Sequence, residues 1–158
     1  MRLDEPGLMR WGRRIGEEAV PPLFLGLRGP LGAGKSVLAR AVGAGAGVEE
    51  AMPSPSYNLV FRYPGRMGLS VVHMDLYRIS GPEELDELGW TDLGHANEIV
   101  LVEWPERARD LVPADHWVIE LMLVPGEPNL RDVAVTRVGR PSELPPFPFT
   151  VSSPEEGG

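Results

Sequence analysis

A chain of 158 residues with 42% apolar and 24% charged side chains has the size and balance of one soluble domain with a buried core, which excludes a fibre or a chain disordered over most of its length. Cysteine is absent, so disulfides and cysteine-ligated metal clusters are excluded and a reducing compartment fits. With 23 acidic against 15 basic residues, the net charge of -8 argues against unaided binding to a phosphate backbone, and any service to nucleic acid is expected through a partner.

The opening "MRLDEPGLMRWGRR" lacks the apolar stretch of a signal peptide, and no run nears the roughly 18 apolar residues of a membrane span, so a cytoplasmic protein is expected. Asp4 to Ala19 is predicted helical, with Leu8, Trp11 or Gly12, and Ile15 at helical spacing, and is closed by Pro21 and Pro22. "LFLGLR", Leu23 to Arg28, is a short apolar run of strand length, as expected of a central strand buried on both faces. After a glycine-rich turn, "KSVLARAVGAG" places Val37, Leu38, Ala41 and Val42 in an apolar helical stripe that the glycines end near Gly43 to Gly47.

"YNLVFRY" and "LSVVHMD", separated by "PGRMG", predict a hairpin of two strands. "GPEELDELG" predicts a short helix, with proline near its start, acids in its first turn and glycine after its end. "EIVLVEW" reads as another buried strand, and "PERARDLVP" as a helical or turn segment ending at Pro113. "HWVIELMLV" and "RDVAVTRV" are the last strands, with "PGEPN" as the loop between them. The domain is expected over residues 1–140, and 141–158, "PSELPPFPFTVSSPEEGG", is expected to be a loosely ordered proline-rich tail.

The turn "GPLGAGKS" matches G-x-x-x-x-G-K-[ST], the P-loop pattern, and holds Lys35, the chain's only lysine among fourteen arginines. Gly29, Gly32 and Gly34 allow positive φ and close approach, so the loop Gly29, Pro30, Leu31, Gly32, Ala33 and Gly34, in which every residue but Pro30 carries a backbone N–H, can line a concavity sized for phosphate. The following helix adds its positive N-terminal end, Lys35 can reach outer phosphates as a point charge, and the Ser36 hydroxyl can ligate Mg2+. A planar guanidinium would crowd this small loop, which explains why one position keeps the amine. The motif lies between a buried strand and an apolar-striped helix, the setting that gives it meaning, and it points to ATP. A GTPase reading would want an N-K-x-D segment, which a chain with one lysine at position 35 does not contain.

A metal beside the phosphates needs a carboxylate at the end of a neighbouring strand. "IVLVE" delivers Glu103 and "VVHMD" delivers Asp75, which suggests that one holds magnesium and the other positions or deprotonates a water.

These stretches also carry a resemblance. "GPLGAGKS", "SPSYNLVFRYP", "HMDLYRI", "PEELDELG" and "IVLVEWPERA" occur in the order and spacing of the bacterial TsaE (YjeE) family, and the chain resembles that family from roughly Asp4 to Val138. The resemblance implies an α/β fold: a single P-loop NTPase domain with a mixed central sheet flanked by helices. It implies ATP and Mg2+ as ligands and a hydrolase that is weak alone. It implies docking on the TsaD–TsaB pair, which transfers a threonylcarbamoyl group to the adenosine next to the anticodon, so that tRNA is met only through that complex. By motif, Lys35 and Ser36 then serve phosphate and magnesium, Glu103 is the magnesium ligand, and Asp75 is the second essential acid. Ser56 falls in the switch-like segment where threonine is usual; it keeps the hydroxyl and loses the methyl that restricts its rotamers. Glu5 and Arg131 match positions near the nucleotide in relatives.

Other residues carry weaker signals. His73 shares a strand face with Asp75 and reads foremost as a hydrogen-bonded histidine packed near the site. Trp104, next to Glu103, is expected on the opposite face of the strand end. Tyr77 and Arg78 lie just past a strand, where loops carry function. The acidic run "PEELDELGWTD" is a candidate contact surface for a protein partner. The competing reading of the whole chain is a small-molecule P-loop kinase, for which "ERARD" would be a poor arginine lid.

Overall fold

Seven strands form one sheet in a computed structural model that describes residues 1–53 and 60–146. Its centre is β2 (Leu23–Arg28), whose Leu23, Phe24, Leu25 and Leu27 are all buried, as a nearly continuous apolar run requires of a strand covered on both faces. β2 runs parallel to β5 (Glu98–Glu103) on one side and to β6 (His116–Val124) on the other, and β4 (Ser70–Asp75) extends the parallel set beyond β5. Antiparallel strands close both ends: β3 (Val60–Pro64) pairs with β4, while β7 (Glu127–Val138) pairs with β6 and β1 (Arg2–Asp4) with β7. The order β1-β7-β6-β2-β5-β4-β3 is a mixed sheet in an α/β fold.

Side chains alternate across this sheet and so build two cores. One joins Leu25, Leu27, Leu101, Ile119 and Leu121 to Leu8, Trp11 and Ile15 of α1 (Glu5–Glu18) and to Leu38 and Val42 of α2 (Lys35–Gly45). Asp4 caps α1 by accepting from the Gly7 amide at 2.8 Å, and Pro6 sits in the first turn, where its missing N–H costs nothing. α1 and α2 run in the same direction and touch backbone to backbone. A Cβ on Gly16 would lie 2.0 Å from the Val42 carbonyl oxygen, and one on Gly45 would lie 2.0 Å from that of Arg13.

The other face gathers Phe24, Met74, Leu76, Val100 and Val102 under Leu85, Trp90 and Ala108. Here the cover is 3-10 turns rather than α-helix: Pro82–Leu88, Trp90–Asp92 and Pro105–Leu111. The helix expected at "PEELDEL" is thus a tighter turn, because Leu85 is its one buried residue and Gly89 at φ 76° ends it.

Three further differences have physical causes. β1 carries no sequence signal at three residues, yet it pairs with Leu130, Arg131 and Asp132 of β7. The expected loop "PGEPN" contracts to a turn at Pro125 and Gly126, with Gly126 at φ 76°, and β7 starts at Glu127. Pro128 is accommodated because the register shifts between Leu123 and Val124, where the ladder is already broken. Of the segment 141–158, residues 147–158 lie outside the described residues. Its beginning lies against the domain: Ser142 accepts from the Trp117 indole N–H at 2.7 Å, and Pro145 from that of Trp11 at 3.2 Å.

Candidate functional site

The three adjacent parallel strands β4, β5 and β2 end on one edge of the sheet, and the chain leaves β2 directly into the glycine-rich turn. Gly29, at φ 143°, packs so closely on β6 that a Cβ would stand 2.3 Å from the Leu121 carbonyl oxygen. Gly34, at φ 105°, is the N-cap of α2 and offers no side chain to cap it, which leaves the first amides of that helix for an outside acceptor. A loop that combines these amides with the positive end of an eleven-residue helix suits phosphate.

Lys35 is buried, and its Nζ donates to the carbonyls of Gly29 at 2.6 Å and Pro30 at 2.8 Å. Burial lowers the pKa of the amine, while the carboxylates of Glu103, Asp75 and Glu106 pull the other way. The ammonium is thereby held by partners that a phosphate can replace.

The strand pairing sets the acids. Asp75 and Glu103 are register partners at the ends of β4 and β5. Ser36 Oγ lies 3.0 and 3.2 Å from the two oxygens of Glu103 and donates between them. The fully buried His73 places Nε2 2.7 Å from Glu103 Oε2, while its Nδ1 has no partner among the described residues. Nε2 therefore carries the proton toward the carboxylate, and His73 is the hydrogen-bonded neighbour that its place on the strand suggested. Ser36, Glu103 and His73 form one chain of hydrogen bonds whose oxygen atoms are hard donors of the kind magnesium prefers.

Asp75 sits at the mouth, half-buried, with Oδ1 accepting from the Tyr77 amide at 2.9 Å. Burial raises its pKa; the Tyr77 amide, His73 and Lys35 counteract this, and Glu103 adds to it. Asp75→Asn is therefore expected to raise the melting temperature at neutral pH. Below the ordinary carboxyl value of 3.8 the acid is protonated in folded and unfolded chains alike, so the gain should vanish there and grow as pH rises through the elevated pKa. Melting curves from pH 3 to 8 check this, and an equal gain at all pH values would refute it.

Around these groups lies a cavity of about 480 Å³ lined by Lys35, Ser36, Asp75, Glu103, Tyr77, Arg78 and Trp104, among others. Trp104 departs from its expected place on the opposite face. Its backbone turns left-handed at φ 59°, which swings the indole over the cavity, 4.6 Å from Lys35 Nζ and 5.0 Å from the Tyr77 ring. The following proline disfavours the right-handed helical region but gives no sign of a left-handed residue, so no pattern in the sequence could have placed this ring.

Glu5 and Arg131 lie together on the other side of the turn, in a cavity of about 370 Å³ that also borders Gly32, Ala33 and Gly34. Arg131 directs its Nε to the Ala33 carbonyl at 3.0 Å and a terminal nitrogen to that of Gly32 at 3.2 Å, and so braces the turn from behind. The structure thus brings Lys35, Ser36, Asp75 and Glu103 to one cavity and Glu5 and Arg131 to its neighbour. Ser56 lies outside the described residues. The acidic residues Glu83, Asp86 and Glu87 are exposed.

Comparison with known proteins follows the same residues. Residues 4–127 match the family profile described as Threonylcarbamoyl adenosine biosynthesis protein TsaE. The chain is 31% identical over 142 residues to the tRNA threonylcarbamoyladenosine biosynthesis protein TsaE of Haemophilus influenzae, covering 87% of this chain and 89% of that one. It is 31% identical over 153 residues to the protein of the same name in Nostoc, covering 94% and 86%. The crystal structure of Bacillus subtilis YdiB superposes with a TM-score of 0.69 at 24% identity over 88% of this chain and 84% of that one, a likeness of fold. With the profile spanning the strands, the turn and the acids that build the cavity, the chain belongs to the TsaE family.

Proposed function

We propose that this chain is an ATP-binding and hydrolysing subunit of tRNA threonylcarbamoyladenosine biosynthesis, docking on the TsaD–TsaB pair to support threonylcarbamoyl transfer. The observation that carries the reading is the meeting of the lone lysine, Ser36, Glu103 and Asp75 around one cavity in a TsaE family member. Lys35 would exchange the Gly29 and Pro30 carbonyls for outer phosphate oxygens, while the amides of the turn hold the inner ones. Ser36 and Glu103 would hold Mg2+, whose charge, when bound, offsets that developing on the transferred phosphate. Asp75, with its pKa raised by burial, is a stronger base than an exposed aspartate and would orient water or take its proton.

In this reading His73 orients Glu103. His73→Phe removes the donor and is expected to raise the Mg2+ concentration for half-maximal turnover by about tenfold, at the low end of what outer-shell changes do. His73→Gln, whose amide can reach the same oxygen, should restore most of the affinity. Equal Mg2+ requirements in the two variants would remove the orienting role.

The direct test is ATP turnover by the purified chain with and without the TsaD–TsaB pair. Weak turnover alone and stimulation by the pair are expected. No stimulation, together with no co-elution in ATP, would overturn the reading, and a phosphorylated small-molecule product would replace it with a kinase.

A further inference from the structure

A third concavity of about 730 Å³ runs along the outer side of α1 and α2. Its floor is apolar: Pro6 and Met9 from α1, and Val37, Ala41 and Ala44 from α2, with Met9 47% exposed. Three exposed arginines rim it, Arg10 and Arg13 on α1 and Arg40 on α2. Among the described residues none of the three makes an ion pair or a side-chain hydrogen bond, whereas Arg2, Arg14, Arg28, Arg62 and Arg137 all pair with acids. Glu5, at one end, is the single acid lining the groove.

Arg107, Arg109 and Arg140 also make no ion pair among the described residues, so what sets these three apart is that they lie together over an apolar strip on a chain of net charge -8. The contact between Gly16 and Gly45 holds the two helices together beneath the valley. From Glu5 to Arg13 it runs about 12 Å at 1.5 Å per residue, the length of roughly two helical turns. Both helices begin at the same end of the valley, so their dipoles make that end positive, and at the other end, where α2 finishes, the positive charge comes from the arginines alone. Phosphate backbones need cations and no apolar floor. An amphipathic helix needs both, as apolar anchors at helical spacing in a groove with charges at its rim.

We infer that the α1–α2 valley docks a short acidic amphipathic helix of a protein partner, with its apolar face on Met9 and Ala41 and its carboxylates on Arg10, Arg13 and Arg40. This rests on the protein-docking reading proposed above and assigns it a surface other than the acidic segment at residues 82–92. Glu5, Pro6 and Val37 line both this valley and the cavity behind the phosphate turn, so the docked helix borders the nucleotide end of the molecule.

The experiment compares the wild-type chain, the triple reversal Arg10→Glu, Arg13→Glu, Arg40→Glu, and the conservative triple change to lysine, each checked by circular dichroism and basal ATP turnover, which should not change. Binding to the purified TsaD–TsaB pair in ATP is measured by interferometry at two salt concentrations. The reversal should weaken binding by at least about tenfold and the lysine variant by less than about threefold, with the wild-type affinity falling at high salt. Full binding by the reversal would overturn the valley as the dock and leave the proposed function standing. Absence of binding by the wild type would overturn both. Retained pair binding with loss of labelled tRNA binding in the reversal would assign the valley to RNA and overturn the inference.

Discussion

Lys35→Ala is expected to weaken ATP affinity by about ten- to a hundredfold, the worth of one or two charge-assisted hydrogen bonds, and to lower turnover by about a hundredfold or more, as loss of a charge-stabilising donor does. The amine is buried, and its two present acceptors are main-chain carbonyls of the turn itself. Its removal therefore takes away both the cation proposed for the phosphates and the tie to the Gly29 and Pro30 carbonyls. Lys35→Arg should rescue little. A guanidinium carries five donors in a plane, and the space between Gly29, Pro30 and the Trp104 ring holds a compact group 4.6 Å below that ring. Isothermal calorimetry with ATP separates the cases, and unchanged affinity in the alanine variant would remove the phosphate site from this loop.

The second large effect is expected far from the cavity mouth. Gly16→Ala should destabilise the fold by about 3 kcal/mol or more, the upper range for overpacking, because the new methyl meets the rigid backbone of α2 at 2.0 Å from the Val42 oxygen and 2.6 Å from the Ala46 nitrogen. Gly45→Ala meets the Arg13 carbonyl in the same way from the other helix. Both changes force the same separation of α1 from α2, so the double variant should lose less than the sum. Gly94→Ala is the control: its Cβ meets nothing within 4 Å, and the cost is that of φ 83° alone, about 1–2 kcal/mol. Urea denaturation measures all four. A small effect at Gly16 would show that the helices are not in backbone contact.

What the sequence disclosed follows periodicity and glycine chemistry. Buried parallel strands are apolar runs, and β2 and β5 could be read from theirs; α1 lies within one residue of its expected limits at each end because Asp4 caps it and a proline pair follows. The glycine-rich turn was legible because its glycines serve a backbone conformation rather than a side-chain preference. What stayed hidden depends on distant partners. β1 exists because β7 offers it an edge, and Trp104 turns into the cavity through one left-handed residue. Arg131 reaches across 98 residues of sequence to hold Ala33, and its rigid bracing of the turn has no local pattern. The basic valley is likewise a product of two helices lying side by side, each of which alone reads as an ordinary amphipathic surface.

The lone lysine has a consequence for chemical labelling. Apart from the α-amine of Met1, which donates to the Val133 carbonyl, the chain offers acylating reagents a single amine, and that amine stands in the cavity with its pKa lowered by burial. On the ATP-binding reading proposed above, an amine-directed reagent shaped like a nucleotide would mark this one position, and the extent of marking would count empty sites without any separation of bound from free protein.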